Sequence, residues 1–320
     1  MAITLNDMKV GMTDKVAEQV VDTFVRESEI LQVLPFDNCV SPSGGSTLTY
    51  SYMQTMLPSM ATFRELYTEY TASEATLVRK SADLKIFGGK FTMDRVLKQA
   101  EGKYNNMAFQ MEQKIKAAVG LFHHTLINGD ATTNPLEFDG LDKMLAGTTS
   151  EFNADGVIDI STMALLKENA DQLYESLQNL IKATNADALL LNQAMISKIQ
   201  TMARLLGYKT ESEEAFGRKI TTMDGVRFMD LKNVYSQSEN LPVATPCVPI
   251  VEGKTDIYAV RFNVNDGFHG VTLTGSSGIT QYVPDFNKPG AVKDGEVEMV
   301  AATVLKNTAN AGVLRGIKIA

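Results

Sequence analysis

The chain of 320 residues has no tryptophan, two cysteines and three histidines. Thiol and imidazole groups for metal binding or proton transfer are therefore scarce. His123 and His124 are adjacent, so on a helix they point about 100° apart and cannot share a metal; His269 stands alone between Phe268 and Gly270. Cys39 and Cys247 lie far apart and read as two reduced thiols rather than a disulfide. Basic charge is also short, with 30 Lys and Arg against 38 Asp and Glu, a net charge of -8 and no basic run. Gripping nucleic acid requires clustered cations against phosphates, so that class of function is excluded. No run of about 18 apolar residues could form a spanning helix. The opening MAITLNDMKVGMTDK lacks the apolar core of a signal peptide. These features lead us to expect a protein made in the cytoplasm that stays soluble until it meets its partners.

Catalytic signatures are missing too. Gly88-Gly89-Lys90 looks like the end of a phosphate loop, but Leu84 occupies the upstream glycine position and Phe91 the Ser/Thr position. There is no GxSxG, HExxH, CxxC or GxGxxG, and Gly275 to Gly278 is a turn with no helix after it. Glu296 and Glu298 share one face of a strand, which permits acid–base work, yet a solvated strand face explains them as well. No catalytic, cofactor-binding or metal residue is assigned, and the chain reads as a non-enzyme.

Hydrophobic residues make up 44% and charged residues 21%, enough to build a sizeable core. The dominant feature is the stretch from Tyr104 to Asp130. Tyr104, Met107, Ala108, Met111, Ile115, Ala118, Val119, Phe122 and Leu126 recur every three or four residues and predict one apolar helix face. Asn105, Glu112, Gln113, Lys116 and His123 fall on the opposite face, with Glu112 and Lys116 in the favourable i,i+4 order. Asn128-Gly129 suits a left-handed helix end. About 24 residues at about 1.5 Å each give a rod of roughly 36 Å.

Before it, Thr13 to Leu34 predicts an amphipathic helix with Val16, Val20, Phe24 and Leu31 on one stripe, capped by Thr13 or Asp14 and stopped by Pro35. A loop at Ser41 to Gly45 leads into alternation at Leu48, Tyr50 and Tyr52, a strand signal. The pattern dissolves from Leu57-Pro58 to Ser73. It returns at Thr76 to Val78 and at Leu84 to Phe87, closing at Gly88-Gly89. Each arm of this ribbon would span on the order of 50 Å at about 3.3 Å per residue. An isolated two-stranded ribbon is marginal in water and needs another surface to lie on.

After the long helix, Pro135 and Phe138 to Leu141 form a turn-rich link. Ser161 opens a helix with the stripe Leu165, Leu166, Leu173, Leu177, Leu180 and Ile181; Ala186 to Leu191 reads as a buried strand; Asn192 caps a helix reaching Arg204. Lys209 to Gly217 reads as a solvated acidic loop, and Asp224-Gly225 as a hairpin turn. Strands follow around Ile257, Ala259 and Phe262, at Phe268 to Leu273, Glu296 to Leu305 and Val313 to Ile319. Val297, Met299 and the last of these strands are placed to pack on the long helix, so the chain's two ends would enclose an inserted unit.

In this order and spacing, several segments resemble tailed-bacteriophage major capsid proteins. They are Val21-Asp-Thr-Phe-Val-Arg-Glu-Ser-Glu-Ile-Leu31 followed by Leu34-Pro35-Phe36, then Leu57-Pro58 and Phe63-Arg64, then Gly88-Gly-Lys-Phe-Thr-Met-Asp-Arg95. Leu126-Ile-Asn-Gly-Asp130 before Phe138-Asp-Gly-Leu141 is similar to the family's end-of-spine segment. The resemblance runs from about residue 15 to the C-terminus and is most specific before Leu141. It implies an α+β, Hong-Kong-97-like coat fold. The N-terminal arm is residues 1–43, the extended β-hairpin (E-loop) 44–90, the peripheral domain 91–154 with 285–320, and the inserted axial domain 155–284. The peripheral domain carries the spine helix.

The resemblance further implies a homo-oligomer of pentamers and hexamers in an icosahedral shell around double-stranded DNA, which it would not bind sequence-specifically. A separate scaffolding protein, or none, and a portal would be partners, with no membrane, no cofactor and residence in the virion after assembly in the host cytoplasm. Candidate intersubunit contacts are Val16, Val20 and Phe24 of the arm and Met56, Leu57, Pro58, Met60 and Phe63 of the hairpin tip, where a self-contained turn would be polar. Some coats of this fold cross-link through a hairpin lysine; Thr55 to Ala75 contains none, so that chemistry is not expected here. The same fold also builds encapsulin-type compartments, which is the alternative function. A soluble enzyme without a recognisable motif is the remote one.

Overall fold

Ser28 caps α1 (Glu29–Val33), its hydroxyl accepting from the Leu31 amide, and Pro35 follows directly on the helix end. The computed structural model describes the whole chain except residues 1–27, 42–47, 58, 100–105, 155–157, 208–210, 216–217, 224, 239–240 and 275–278. Most of the expected arm helix, including Val16, Val20 and Phe24, lies outside the described residues. The rest of the expected arm is not peripheral: Ile30, Leu34 and Val40 are buried in the main core. Residues 28–43 therefore do not form a separable arm in the part described.

The first sheet begins with β1 (Phe36–Val40); the ribbon strands β2 (Thr49–Leu57) and β3 (Thr76–Asp83) follow, and β4 (Lys85–Asp94) returns to that sheet. Short α2 (Arg95–Gln99) precedes the long helix α3 (Asn106–Asn128); α4 (Leu141–Leu145) and β5 (Glu151–Asn153) close the link. Next come α5 (Met163–Glu168), α6 (Ala170–Thr184), β6 (Ala188–Leu191) and α7 (Gln193–Leu205), with Asn192 capping α7 through the Met195 amide. The remaining strands are β7 (Glu211–Ala215), β8 (Arg218–Met223), β9 (Val226–Asp230), β10 (Asn233–Ser238), β11 (Leu241–Pro246), β12 (Ile250–Val251) and β13 (Lys254–Val260). They continue with β14 (Phe268–Leu273), β15 (Thr280–Tyr282), β16 (Val292–Leu305) and β17 (Ala311–Lys318).

In the first sheet β16 is central, with β4 antiparallel on one side and β14, then β15, on the other; β1 pairs parallel to β14. Gly88-Gly89 does not close β4 as the sequence suggested. A Cβ on Gly88 would stand 1.9 Å from the Val297 carbonyl oxygen, so the glycine lets two backbones meet inside the ladder. The second sheet runs β5-β17-β13-β6-β9-β8-β7, with β12 added to β13. Residues expected as a solvated loop form β7, because β8 supplies an antiparallel partner with Glu214 opposite Lys219. A partner of this kind leaves no trace in the periodicity of 209–217.

Strand alternation divides the interior in two. Ala188 and Leu190 of β6, with Tyr258 and Val260 of β13, face a core shared with α3. Leu189, Leu191, Ile257 and Ala259 face a second core against α6 and α7. β17, expected to pack on the long helix, does place Ala311 and Val313 in the core shared with that helix, but it pairs with β13 in the second sheet and packs Leu314 and Ile317 into the second core. β14, expected in the inserted unit, pairs in the first sheet. Three carboxylates, Asp142, Glu151 and Asp256, converge on the Arg315 guanidinium, and Tyr258 donates its hydroxyl to Asp142 at 3.1 Å. This ties α4 and β5 to β13 and β17.

The long helix behaves differently along its length. Near its start Met111 lies against Phe91 and Val297, while Ala108, expected on the apolar face, is exposed. The expected Glu112–Lys116 pair forms at 2.6 Å. Near its end Phe122, Leu126 and Ile127 are fully enclosed, and Phe122 meets Phe36, Phe87 and Phe138 at ring distances of 6.3, 5.9 and 5.7 Å. Gly129 has no left-handed backbone; it is required because Phe138 and Thr125 carbonyls crowd it, and Gly140 bonds back to it at 2.8 Å.

His123 departs from its expected polar face, since β9 and α1 cover it. Its Nδ1 meets the Leu231 carbonyl at 3.1 Å and its Nε2 meets Ser28 Oγ at 2.6 Å. Burial pulls its pKa from 6.5 to about 4, opposed by the Leu231 bond and aided by Lys232. Between those values the unfolded chain binds a proton that the folded chain refuses, so stability falls as pH drops from 6.5 towards 4. For this group the loss reaches about 3 kcal/mol. Urea melts across that window should show a shallower pH slope for His123→Asn than for the parent; equal slopes would mean that His123 does not titrate in this way.

Candidate assembly surface

Alternation along β2 gives the ribbon one anchored face and one free face. Tyr50 and Gln54 are buried, whereas Ser51 and Met53 between them are exposed. The Tyr50 hydroxyl donates to Asp37 Oδ2 at 3.0 Å, and its ring stacks on Tyr52 and meets His269 edge-on, both at 6.1 Å. Gln54 donates from Nε2 to the Leu305 carbonyl at 3.3 Å. β3 gains less support: Thr76 to Ser81 are all exposed, with Leu77 on the same outer face as Met53. The paired arm of nine residues spans about 30 Å at about 3.3 Å each, shorter than the sequence suggested.

Beyond Leu57 and Thr76 the chain leaves strand geometry. Every residue from 59 to 72 is exposed, including Met60, Leu66, Tyr67, Tyr70 and Phe63, whose side chain is as open as in an extended peptide at 105%. Among the described residues, hydrogen bonds and one cation–π contact order the tip. Arg64 donates to the Glu65 and Thr68 carbonyls at 3.4 and 3.2 Å and lies over the Tyr70 ring at 5.2 Å; the Met60 amide donates to Ser73 Oγ at 3.0 Å. Tyr67 sits in the left-handed region at φ 69°. Five large apolar side chains therefore face water together, a pattern typical of interaction surfaces.

Of the candidate contacts, Met60 and Phe63 share this tip, and Met56 and Leu57 belong to β2. Pro58, like Val16, Val20 and Phe24, lies outside the described residues. Leu66, Tyr67, Tyr70, Met53 and Leu77 extend the surface beyond what the sequence reading named. Their signal was present as large apolar residues in a stretch without periodicity. At the ribbon base a cavity of about 810 Å³ opens between β2–β3 and the segment Ala131 to Thr149. On its far wall Lys143 is held by Asp139 at 2.8 Å and by Asp130, and this pairing keeps the Asp130 carboxyl well below the usual carboxylate range.

Among the described residues no group of three or more His, Cys, Asp or Glu is placed to hold a metal. The carboxylates around Arg315 are occupied by that cation. Cys247 is a free, buried thiol whose pKa burial pushes up to about 12, which makes it a poor nucleophile. Among the described residues no helix is long and apolar enough to cross a membrane.

No protein-family model and no curated relative matches the sequence. Solved structures do match in fold. The holo-SrpI encapsulin complex from Synechococcus elongatus aligns with a TM-score of 0.63 at 13% identity, over 98% of this chain and 96% of that one. The capsid of a native GTA particle aligns at 0.60 with 10% identity, over 96% and 94%. A Mycobacterium phage Bobi chain aligns at 0.59 with 13% identity, over 98% and 99%. The chain has the Hong-Kong-97-like coat fold.

The two faces of the ribbon should respond oppositely to substitution. Tyr50→Ala removes a buried ring and should cost about 3 kcal/mol in a denaturant melt. Phe63→Asp should leave stability within about 0.5 kcal/mol. A large loss for Phe63→Asp would place that ring in an internal core.

Proposed function

We propose that this chain, carrying the coat fold, is the major capsid subunit of a tailed bacteriophage, assembling as pentamers and hexamers into an icosahedral head around double-stranded DNA. The observation that carries this reading is the ribbon: an exposed apolar tip on a subunit whose fold aligns end to end with shell proteins. A two-stranded ribbon with one arm fully in water gains stability only when another surface covers it. Met56, Leu57, Pro58, Met60 and Phe63 then meet a neighbouring subunit, as do Val16, Val20 and Phe24 of the arm. Repeated contacts of modest strength add up to a stable shell. The net charge of -8 suits a container wall that does not grip its cargo. No catalytic step is assigned; a scaffolding protein and a portal are the expected assembly partners, and the virion the final location.

An encapsulin-type compartment is the second reading, supported by the alignment to the Synechococcus elongatus shell over nearly the whole of both chains. Electron microscopy of the purified protein tests both: uniform hollow shells or capsomer rings are expected. A stable monomer or dimer at high concentration would rule out either. Nuclease-protected DNA inside particles isolated from an infection supports the phage head, whereas a co-purifying enzyme cargo supports the compartment. Removal of residues 1–27 should leave a cooperative thermal transition and yet impair shell formation. Loss of that transition would put the segment in the subunit's own core.

A further inference from the structure

Two buried side-chain polar atoms among the described residues have no hydrogen-bond partner, His269 Nε2 and Gln54 Oε1, and both lie where the ribbon covers the first sheet. His269 stands on β14, fully enclosed, with the Tyr50 ring of β2 edge-on to it at 6.1 Å. Its Nδ1 meets the Gly267 carbonyl at 3.3 Å, which places the single proton of the neutral ring on Nδ1 and leaves Nε2 a bare acceptor. Three segments packed against it bring titratable or charged groups: Asp37 of β1, Tyr50 of β2 and Lys306 just after β16. Asp37 accepts the Tyr50 hydroxyl at 3.0 Å; Lys306 lies over the Tyr50 ring at 5.5 Å and donates to the Val264 carbonyl at 2.8 Å. A second proton on the imidazole puts a positive charge in this enclosure and a donor on Nε2 with nothing to receive it. Asp37 favours that charge, but burial and Lys306 oppose it and prevail, so the pKa lies below 6.5.

The strain of protonation falls on the least secured side of the enclosure. β14 is hydrogen-bonded on both sides, parallel to β1 and antiparallel to β16, so moving it to admit water breaks a ladder. The ribbon is held differently. β2 and β3 pair with each other and with no other described strand. Side-chain bonds from Tyr50 to Asp37 and from Gln54 to the Leu305 carbonyl, with burial of the Tyr50 ring, fasten β2 to the sheet beneath it. Lifting the ribbon about Leu84, between β3 and β4, therefore breaks no ladder, hydrates His269 and lets Gln54 Oε1 bond to water.

We propose that His269 is an acid-sensitive latch for the ribbon: a proton on its ring lifts β2 and β3 from the first sheet while both large sheets stay folded. The latch operates within one subunit, so it does not depend on the shell reading. With the ribbon lifted, the imidazole is hydrated and titrates near its ordinary value; with the ribbon closed, it refuses the proton. Opening is therefore favoured as pH falls below about 6.5, by up to about tenfold per pH unit, until the closed form also takes the proton.

Hydrogen–deuterium exchange of the full chain at pH 6.5 and 5.0, corrected for intrinsic exchange rates, tests it. Protection of amides in 49–57 and 76–83 should fall about tenfold at the lower pH, with 268–273 and 297–304 unchanged. His269→Gln and His269→Phe should each abolish that fall, and His123→Asn should keep it. Lys306→Gln, which leaves the imidazole in place but removes a charge opposing its proton, should shrink the fall and so gives the answer even where neither His269 variant folds. Ribbon protection that is the same at both pH values, or that falls together with β14 and β16, overturns the latch. So does an undiminished fall in a folded His269 variant or in Lys306→Gln, or its loss in His123→Asn.

Discussion

Four phenylalanines meeting at one point hold this subunit together. Phe122 of the long helix meets Phe36 of β1, Phe87 of β4 and Phe138 from the link that follows the helix. Each ring belongs to a different stretch of chain, so no local preference brings them together. Burial of one such ring is worth about 1.5–3 kcal/mol, and each tilted or offset pair adds about 0.5–1.5 kcal/mol. With Phe122 fixed, Gly129 and Gly140 can approach within a hydrogen bond, which sets where α4 begins and so where Asp142 meets Arg315.

From that junction the fold spreads in two directions. The second sheet is apolar on both faces: β6 alternates between the core shared with the helix and the core against α6 and α7. A strand of this kind cannot belong to one unit alone, and it accounts for β17 joining the second sheet although it follows β16 of the first within a few residues. The second sheet thus joins strands that the sequence reading had assigned to different units.

Much of this was legible in the chain. The long helix, its i,i+4 pair, the α7 cap at Asn192, and the strand Phe268–Leu273 follow from period and capping chemistry, which are local. What was not legible depended on partners distant in sequence. His123 looks polar on a helical wheel and is buried only because Leu231 and Ser28 supply its bonds. β7 looks like an acidic loop until β8 pairs with it, and Gly88 looks like a turn until Val297 lies against it. The ribbon tip was legible in a different sense. Met60 and Phe63 stand out as apolar residues where a turn should be polar, but Leu66, Tyr67 and Tyr70 follow no period that would have grouped them with the pair.

That failure of periodicity has a physical origin. Period reports a surface that is half covered by the same chain, as on β2, where Tyr50 and Gln54 alternate with exposed Ser51 and Met53. From 59 to 72 no described residue covers either side, so no half-covered surface imposes a period on the sequence there. The apolar residues there cost the isolated subunit solvation and return nothing to it. Covering such side chains from water would be favourable, which is why exposed apolar patches of this size mark interaction surfaces.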